Sequence, residues 1–245
     1  MKSRDSEHIF VGGPSHQDCE ELADRYSRRG FAYASSALDL EKLNEILAVL
    51  ESSHEWGMVT CRSGRMLGAP PADYQAYSPS EKRALLEDAY LAANNEFSCF
   101  REKLWSHDNQ LVGEANSCEN LRADTAFGDQ RFAGFLSAIT KEESVSLVDI
   151  EVTRYSWGHF SSFSNFASDD GSFDVIVGLS PDWFLDWGGL IEIRDHLGSV
   201  ERAYSPEMGN ITVVSRLRPW AISHVNDLAL RPANFINLRF ATSPQ

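Results

Sequence analysis

The chain has 245 residues, with 22 Lys+Arg against 36 Asp+Glu, a net charge of −14, and 42% hydrophobic and 11% aromatic residues. This composition excludes disorder, collagen and coiled coil, and the length is sufficient for one full core. The excess of acid argues against a nucleic-acid partner and against an anionic membrane surface. The first half reads as helical. Asp39 caps a segment in which Leu40, Leu43, Ile46, Leu47 and Leu50 recur at helical spacing. Between Trp56 and Tyr77 lies a stretch with Gly and Pro that suits either a hairpin or a loop over a site. Ser78-Pro79-Ser80-Glu81 starts a second helix, whose pattern through Ala84, Leu85, Ala89, Phe97 and Phe100 runs on towards Trp105. Phe132, Phe135, Leu136 and Ile139 predict another short helix.

From about residue 145 the character changes to strands. These are expected within Leu147–Tyr155, Phe173–Leu179, Leu190–Arg194, Ile211–Val214 and Phe235–Phe240, punctuated by turns at Asp169-Asp170-Gly171, Gly188-Gly189 and Pro206. Helices first and short strands afterwards indicate an α+β layout ending in a sandwich or jelly roll. Cys19, Cys61, Cys99 and Cys118 are scattered without a zinc or disulfide framework. The polar start Met1-Lys2-Ser3-Arg4-Asp5 has no apolar signal core, and no run reaches membrane-spanning length. The expectation is a cytoplasmic protein with no membrane association.

Tyr155-x-x-Gly158-His159-Phe160, Leu179-Ser180-Pro181-Asp182-Trp183, Trp187-Gly188-Gly189-Leu190 and Tyr204-Ser205-Pro206 before Ile211-Thr212-Val213-Val214 carry a resemblance. They resemble the prolyl-4-hydroxylase-like 2-oxoglutarate/iron(II) oxygenases. The resemblance implies one domain over 1–245: a mainly helical leader over 1–144, then a double-stranded β-helix (a cupin-like jelly-roll barrel) over 145–245. Such enzymes hold iron on two His and one carboxylate. Carried onto this chain, the HxD positions fall on Ser164 and Phe166, and the distal His falls on Trp220, with His224 available to a shifted register. The arginine for the oxoacid falls on Ala233 or Asn234, with Arg231 close by and Arg239 further along. Iron and 2-oxoglutarate are the cofactors the resemblance implies, yet these residues offer neither metal ligand nor oxoacid anchor. The expectation is therefore no cofactor.

The expected site is a barrel pocket with an aromatic wall of Phe166 and Trp220, and with Ser164, Asn165, Arg216 and Arg218 as ligand-binding polar groups. A metal-independent isomerase, cyclase or lyase would use His159 or His224 as acid/base, because histidine titrates near working pH. Its ligand would be a partly apolar small molecule. Two alternatives stand beside it: an oxygenase with displaced ligands (His159, Asp169 or Asp170, His224), and a noncatalytic ligand-binding or partner protein. His16-Gln17-Asp18 is a literal HxD outside the barrel region and reads as a chance match. Related barrels often pair through their helical leaders, so a homodimer is one option.

Overall fold

A computed structural model of the chain describes residues 16–35, 37–62, 65–94, 97–104, 127–162, 172–195 and 197–242. Five helices occur among them: α1 (His16–Arg29), α2 (Leu40–Ser52), α3 (Pro71–Ala76), α4 (Pro79–Ala93) and α5 (Gln130–Thr140). Their ends follow local chemistry. The Asp39 carboxylate accepts from the Glu41 and Lys42 N–H groups at 2.9 and 3.3 Å, starting α2. Ser78 and Glu81 form a reciprocal capping box at α4, with Pro79 in the first turn. Asp129 caps α5, which buries Phe132, Phe135, Leu136 and Ile139. Among the described residues no helix is long and apolar enough to cross a membrane.

Among the described residues, twelve strands form one strongly curled antiparallel sheet. Four come from the leader: β1 (Phe31–Ala34), β2 (Trp56–Arg62), β3 (Arg65–Ala69) and β4 (Cys99–Leu104). The stretch after Trp56 is thus a hairpin, β2 on β3 with Met58 opposite Ala69, and it leads into α3. One expectation fails here. Helical spacing through Phe97 and Phe100 predicts a continuation of α4, but α4 stops at Ala93 and Cys99–Leu104 is a strand. Backbone pairing decides it: β4 lies between β2, with Phe100 opposite Thr60, and β5, with Lys103 opposite Thr153. Tertiary pairing outweighs a short local periodicity.

The remaining eight strands are β5 (Val145–Tyr155), β6 (Phe160–Ser161), β7 (Phe173–Gly178), β8 (Ile191–Arg194), β9 (Val200–Tyr204), β10 (Ile211–Ser215), β11 (Trp220–Ile222) and β12 (Ala233–Thr242). They fall into two four-stranded sets, β10-β7-β12-β5 and β6-β11-β8-β9, joined through β4. This is the jelly-roll arrangement, and the leader adds β1 to the edge of the first set. The two free edges of the curl come together where Tyr33 of β1 stacks on Tyr204 of β9, ring centroids 4.3 Å apart.

Side-chain alternation along β12 separates two cores. Ile236, Leu238 and Phe240 face the helices, packing with Leu43, Phe132 and Leu136. Ala233 and Phe235 point the other way, into the barrel, among Tyr155, Ile176, Ile222, Trp183 and Trp187. Each such buried side chain contributes about 1.5–3 kcal/mol over its exposed state, so a one-residue slip of β12 would invert both cores. At the barrel's closed end Gly188 has φ 69°. A Cβ there would collide with the His224 carbonyl, so only glycine fits.

Candidate functional site

The strands lining the barrel run from an apolar floor to a charged mouth without changing face. On β12 the sequence of inward residues is Ala233, Phe235, Asn237, Arg239; on β7, Ile176 is followed outward by Asp174. On β11, Ile222 leads to Trp220, and beyond Val214 of β10 comes Arg216. On β5, Tyr155 is followed by Thr153, Glu151 and Asp149, and β4 contributes Arg101 beside them. The mouth encloses a cavity of about 230 Å³ whose wall also includes Arg218 and the apolar Met66 and Phe97.

Two charged groupings organise that mouth. Asp174, directly opposite Arg239 across β7 and β12, accepts from the Trp220 indole Nε1–H at 3.2 Å and lies 3.7 Å from the Arg239 Nε. Burial raises the Asp174 pKa above the ordinary aspartate value, against the lowering effect of Trp220, Arg239 and Arg216. Deeper along the β4–β5 side, Glu151 is held by Arg101 at 2.9 Å and by Lys103 at 3.3 Å. Burial alone would raise its pKa, but the two cations overcome this and hold it low. Arg218 pairs with Glu201 of β9, and Arg216 lies 3.4 Å from the Ser172 hydroxyl. Asn237 donates to the Thr153 hydroxyl at 3.1 Å, and its own buried side-chain carbonyl has no hydrogen-bond partner among the described residues.

Of the site residues expected from sequence, Trp220, Arg216 and Arg218 line this cavity together. Ser164, Asn165, Phe166, Asp169 and Asp170 lie outside the described residues. The two histidines are not in the cavity wall. His159 is buried against the Phe100 ring on the face of β4 opposite Arg101, and burial lowers its pKa to about 4. His224 is exposed, with its ring 5.8 Å from that of Tyr90. Ala233 belongs to the apolar floor. His16 and Asp18 sit in the first turn of α1, outside the barrel strands. Sequence reading missed Asp174, Asn237, Arg101 and Glu151, and it met Arg239 only as an arginine further along the last strand from the oxoacid position. The available signal was a pair of polar residues two apart, Asn237 and Arg239, alternating with Ile236, Leu238 and Phe240.

No protein-family model matches the chain, and no curated protein matches it. Solved structures do. A 2OG-Fe(II) oxygenase-family oxidoreductase from Burkholderia pseudomallei is 15% identical, with TM-score 0.56, covering 96% of this chain and 94% of that one. A prolyl hydroxylase from Trichoplax adhaerens, solved with a hypoxia-inducible-factor peptide, is 12% identical with TM-score 0.57, covering 92% and 90%. The non-heme α-ketoglutarate-dependent epimerase SnoN of nogalamycin biosynthesis is 14% identical with TM-score 0.57, covering 92% and 84%. The chain has the fold of the 2-oxoglutarate/iron(II) oxygenases. At these identities the likeness speaks for the fold alone.

Whether iron and 2-oxoglutarate suit this version of the fold is decided by donor chemistry. Two of the three positions expected to bind metal, Ser164 and Phe166, lie outside the described residues. At the third, Trp220 presents an indole N–H, which has no lone pair for a metal and is already given to Asp174. At the oxoacid position, Ala233 offers a buried methyl group. Among the described residues no group of three His, Cys, Asp or Glu is placed to hold a metal ion. At the two described positions, then, Trp220 supplies no metal ligand and Ala233 no oxoacid anchor.

Proposed function

We propose that this chain is a metal-independent, non-oxidative small-molecule enzyme of isomerase, cyclase or lyase type, working in the mouth of an oxygenase-fold barrel. The observation that carries the reading is the Trp220–Asp174 hydrogen bond. At the start of β11, the position the resemblance assigns to a metal-binding histidine, stands a side chain whose only polar atom serves a neighbouring carboxylate. Around that pair the cavity offers what proton-shuffling chemistry needs: a desolvated carboxyl group, guanidinium donors and an aromatic wall. A reaction that only moves protons within one substrate balances without an external oxidant. The alternative with displaced ligands would call on His159 and His224, neither of which lines the cavity, and on Asp169 or Asp170, which lie outside the described residues.

Anaerobic titration with iron(II) and 2-oxoglutarate tests the proposal. The expected result is no stoichiometric iron, no visible metal–oxoacid absorption and no succinate release on admitting oxygen. Appearance of any of the three overturns it. Replacement of Trp220 by His should not by itself create the absorption, because the other expected ligand positions are Ser164 and Phe166.

A further inference from the structure

We infer that the barrel mouth is a binding site for an organic acid, a carboxylate borne on an apolar body, and that Asp174 takes up a proton as the acid binds. This rests on the reading of the cavity as a small-molecule site and names the class of molecule. The charge is the first argument. In a chain of net charge −14, the cavity wall gathers Arg101, Arg216, Arg218 and Arg239 against Asp149, Glu151 and Asp174, and adding their ion-pair partners, Lys103 on Glu151 and Glu201 on Arg218, still leaves five cations against four acids. A surplus of cations in a concave, low-dielectric pocket of an acidic protein focuses anions there.

The pairing within the wall is the second argument. Arg101 and Glu151 face each other at 2.9 Å, with side chains only 13% and 19% exposed, and are committed to one another. Arg239 is the loose cation: it stands 3.7 Å from Asp174 and its side chain is 44% exposed. Its guanidinium can turn to an incoming carboxylate and bind it through two parallel N–H donors. The third argument is the apolar half of the wall. Trp220, Phe97 and Met66 give an inorganic anion nothing to contact but suit a ring or hydrocarbon body.

Proton uptake follows from crowding. A ligand carboxylate taking Arg239 adds an acid to a wall whose cations already serve both Asp174 and Glu151, and like charges at close range do not both stay ionised. The groups facing Asp174 are Arg239 on β12, Arg216 beyond β10 and the Trp220 indole, with Tyr26 of α1 also feeling its charge. None is an acid ready to take the proton in its place near neutrality. Glu151 keeps Arg101 and Lys103, whereas Asp174, mostly buried with 18% of its side chain exposed, loses its ion-pair partner, so Asp174 is the group that protonates. As the protonated form it becomes a carboxylic acid beside the ligand, the state a general acid requires.

Titration calorimetry of the full chain with benzoate, in buffers of different ionisation enthalpy, reads both halves. The expected result is binding of benzoate accompanied by uptake of up to about one proton per ligand. That uptake should disappear at acid pH, where Asp174 is already protonated in the free protein. Benzamide, which lacks the charge, and inorganic phosphate, which lacks the apolar body, should bind at least about tenfold more weakly. Arg239→Gln should weaken benzoate by about tenfold or more, and Asp174→Asn should bind it without proton uptake. The inference is overturned by no benzoate binding to natively folded protein, by equal binding of benzamide or phosphate, or by the same uptake in Asp174→Asn. Should that variant not fold, an uptake by the unaltered chain that is constant across about pH 4–9 overturns it equally. Iron and oxoacid binding is a separate readout: a chain that binds both and also takes up a proton with benzoate would sink the proposed function and leave this inference standing.

Discussion

Replacing Arg101 with Met removes the main partner of a buried carboxylate while keeping most of the side-chain volume. Arg101 and Glu151 touch at 2.9 Å with only 13% and 19% of their side chains exposed, so neither is rescued by solvent. Lys103, 3.3 Å from Glu151 and 33% exposed, remains as a weaker partner. Stranding a buried charge costs about 3–5 kcal/mol, which at about 2–4 °C per kcal/mol for a chain of this size lowers Tm by roughly 6–20 °C. Glu151 has its folded pKa held low, so its contribution is present above the unfolded value and is lost as pH falls through the folded one. The gap between the unaltered chain and Arg101→Met should therefore be widest near neutrality and close towards acid, where Glu151 is protonated in both. The assay is urea unfolding at several pH values, with the double variant Arg101→Met/Glu151→Met completing the cycle. Removing both charges should recover most of the loss, because no uncompensated carboxylate is left. A loss below about 1 kcal/mol at neutral pH, or a double variant as unstable as the sum of the singles, would refute the account of this pair.

Two further outcomes are expected. His159 is buried with its pKa lowered to about 4, so the unfolded chain binds its proton first, and stability is lost as pH falls from about 6.5 towards 4; His159→Phe should remove about 3 kcal/mol of that acid dependence, and parallel urea-midpoint curves for the two proteins would contradict it. Gly188→Ala places a methyl group into the His224 carbonyl at φ 69° and should cost about 3 kcal/mol or more, whereas Gly134→Ala in α5, with no atom within 4 Å of the new Cβ, should gain about 0.5–1 kcal/mol; thermal unfolding of both ranks them, and equal effects would refute the backbone argument.

What could be read from sequence was what is local. The Asp39 cap and the Ser78–Glu81 box are decided within three residues of chain, and both stand in the structure. Jelly-roll strands were legible for the same reason, as short apolar runs between turns. The failure at β4 is instructive: Phe97 and Phe100 continue the spacing of α4, and only the partners β2 and β5, distant in sequence, make that segment extended. The cavity was the least legible part. Asp174 sits in Phe173-Asp174-Val175-Ile176-Val177, a run that reads as buried on both faces, so its charge carries no sign of direction. Its place in the mouth comes from register with Arg239 on a strand some sixty positions later, and register is a tertiary fact. Trp220, Arg216 and Arg218 were found because the resemblance supplied the alignment that composition could not.

The same register explains why the polar groups of the mouth stand or fall together. Phe235 and Asn237 share one face of β12, as Ile176 and Asp174 share one face of β7, so the packing that seats the apolar floor also aims the charged rim inward. Burial of that floor is worth several kcal/mol, far more than the loose 3.7 Å contact between Asp174 and Arg239 could supply. The floor thus holds Asp174 in a desolvated position that its own pairing does not justify. A carboxyl group kept ionisable, half-paired and buried at the open end of a rigid barrel is a cost to folding that a hydrophobic residue would remove. Its presence there is the physical reason to look for a ligand that completes the arrangement, and to look for it among organic acids rather than oxidants.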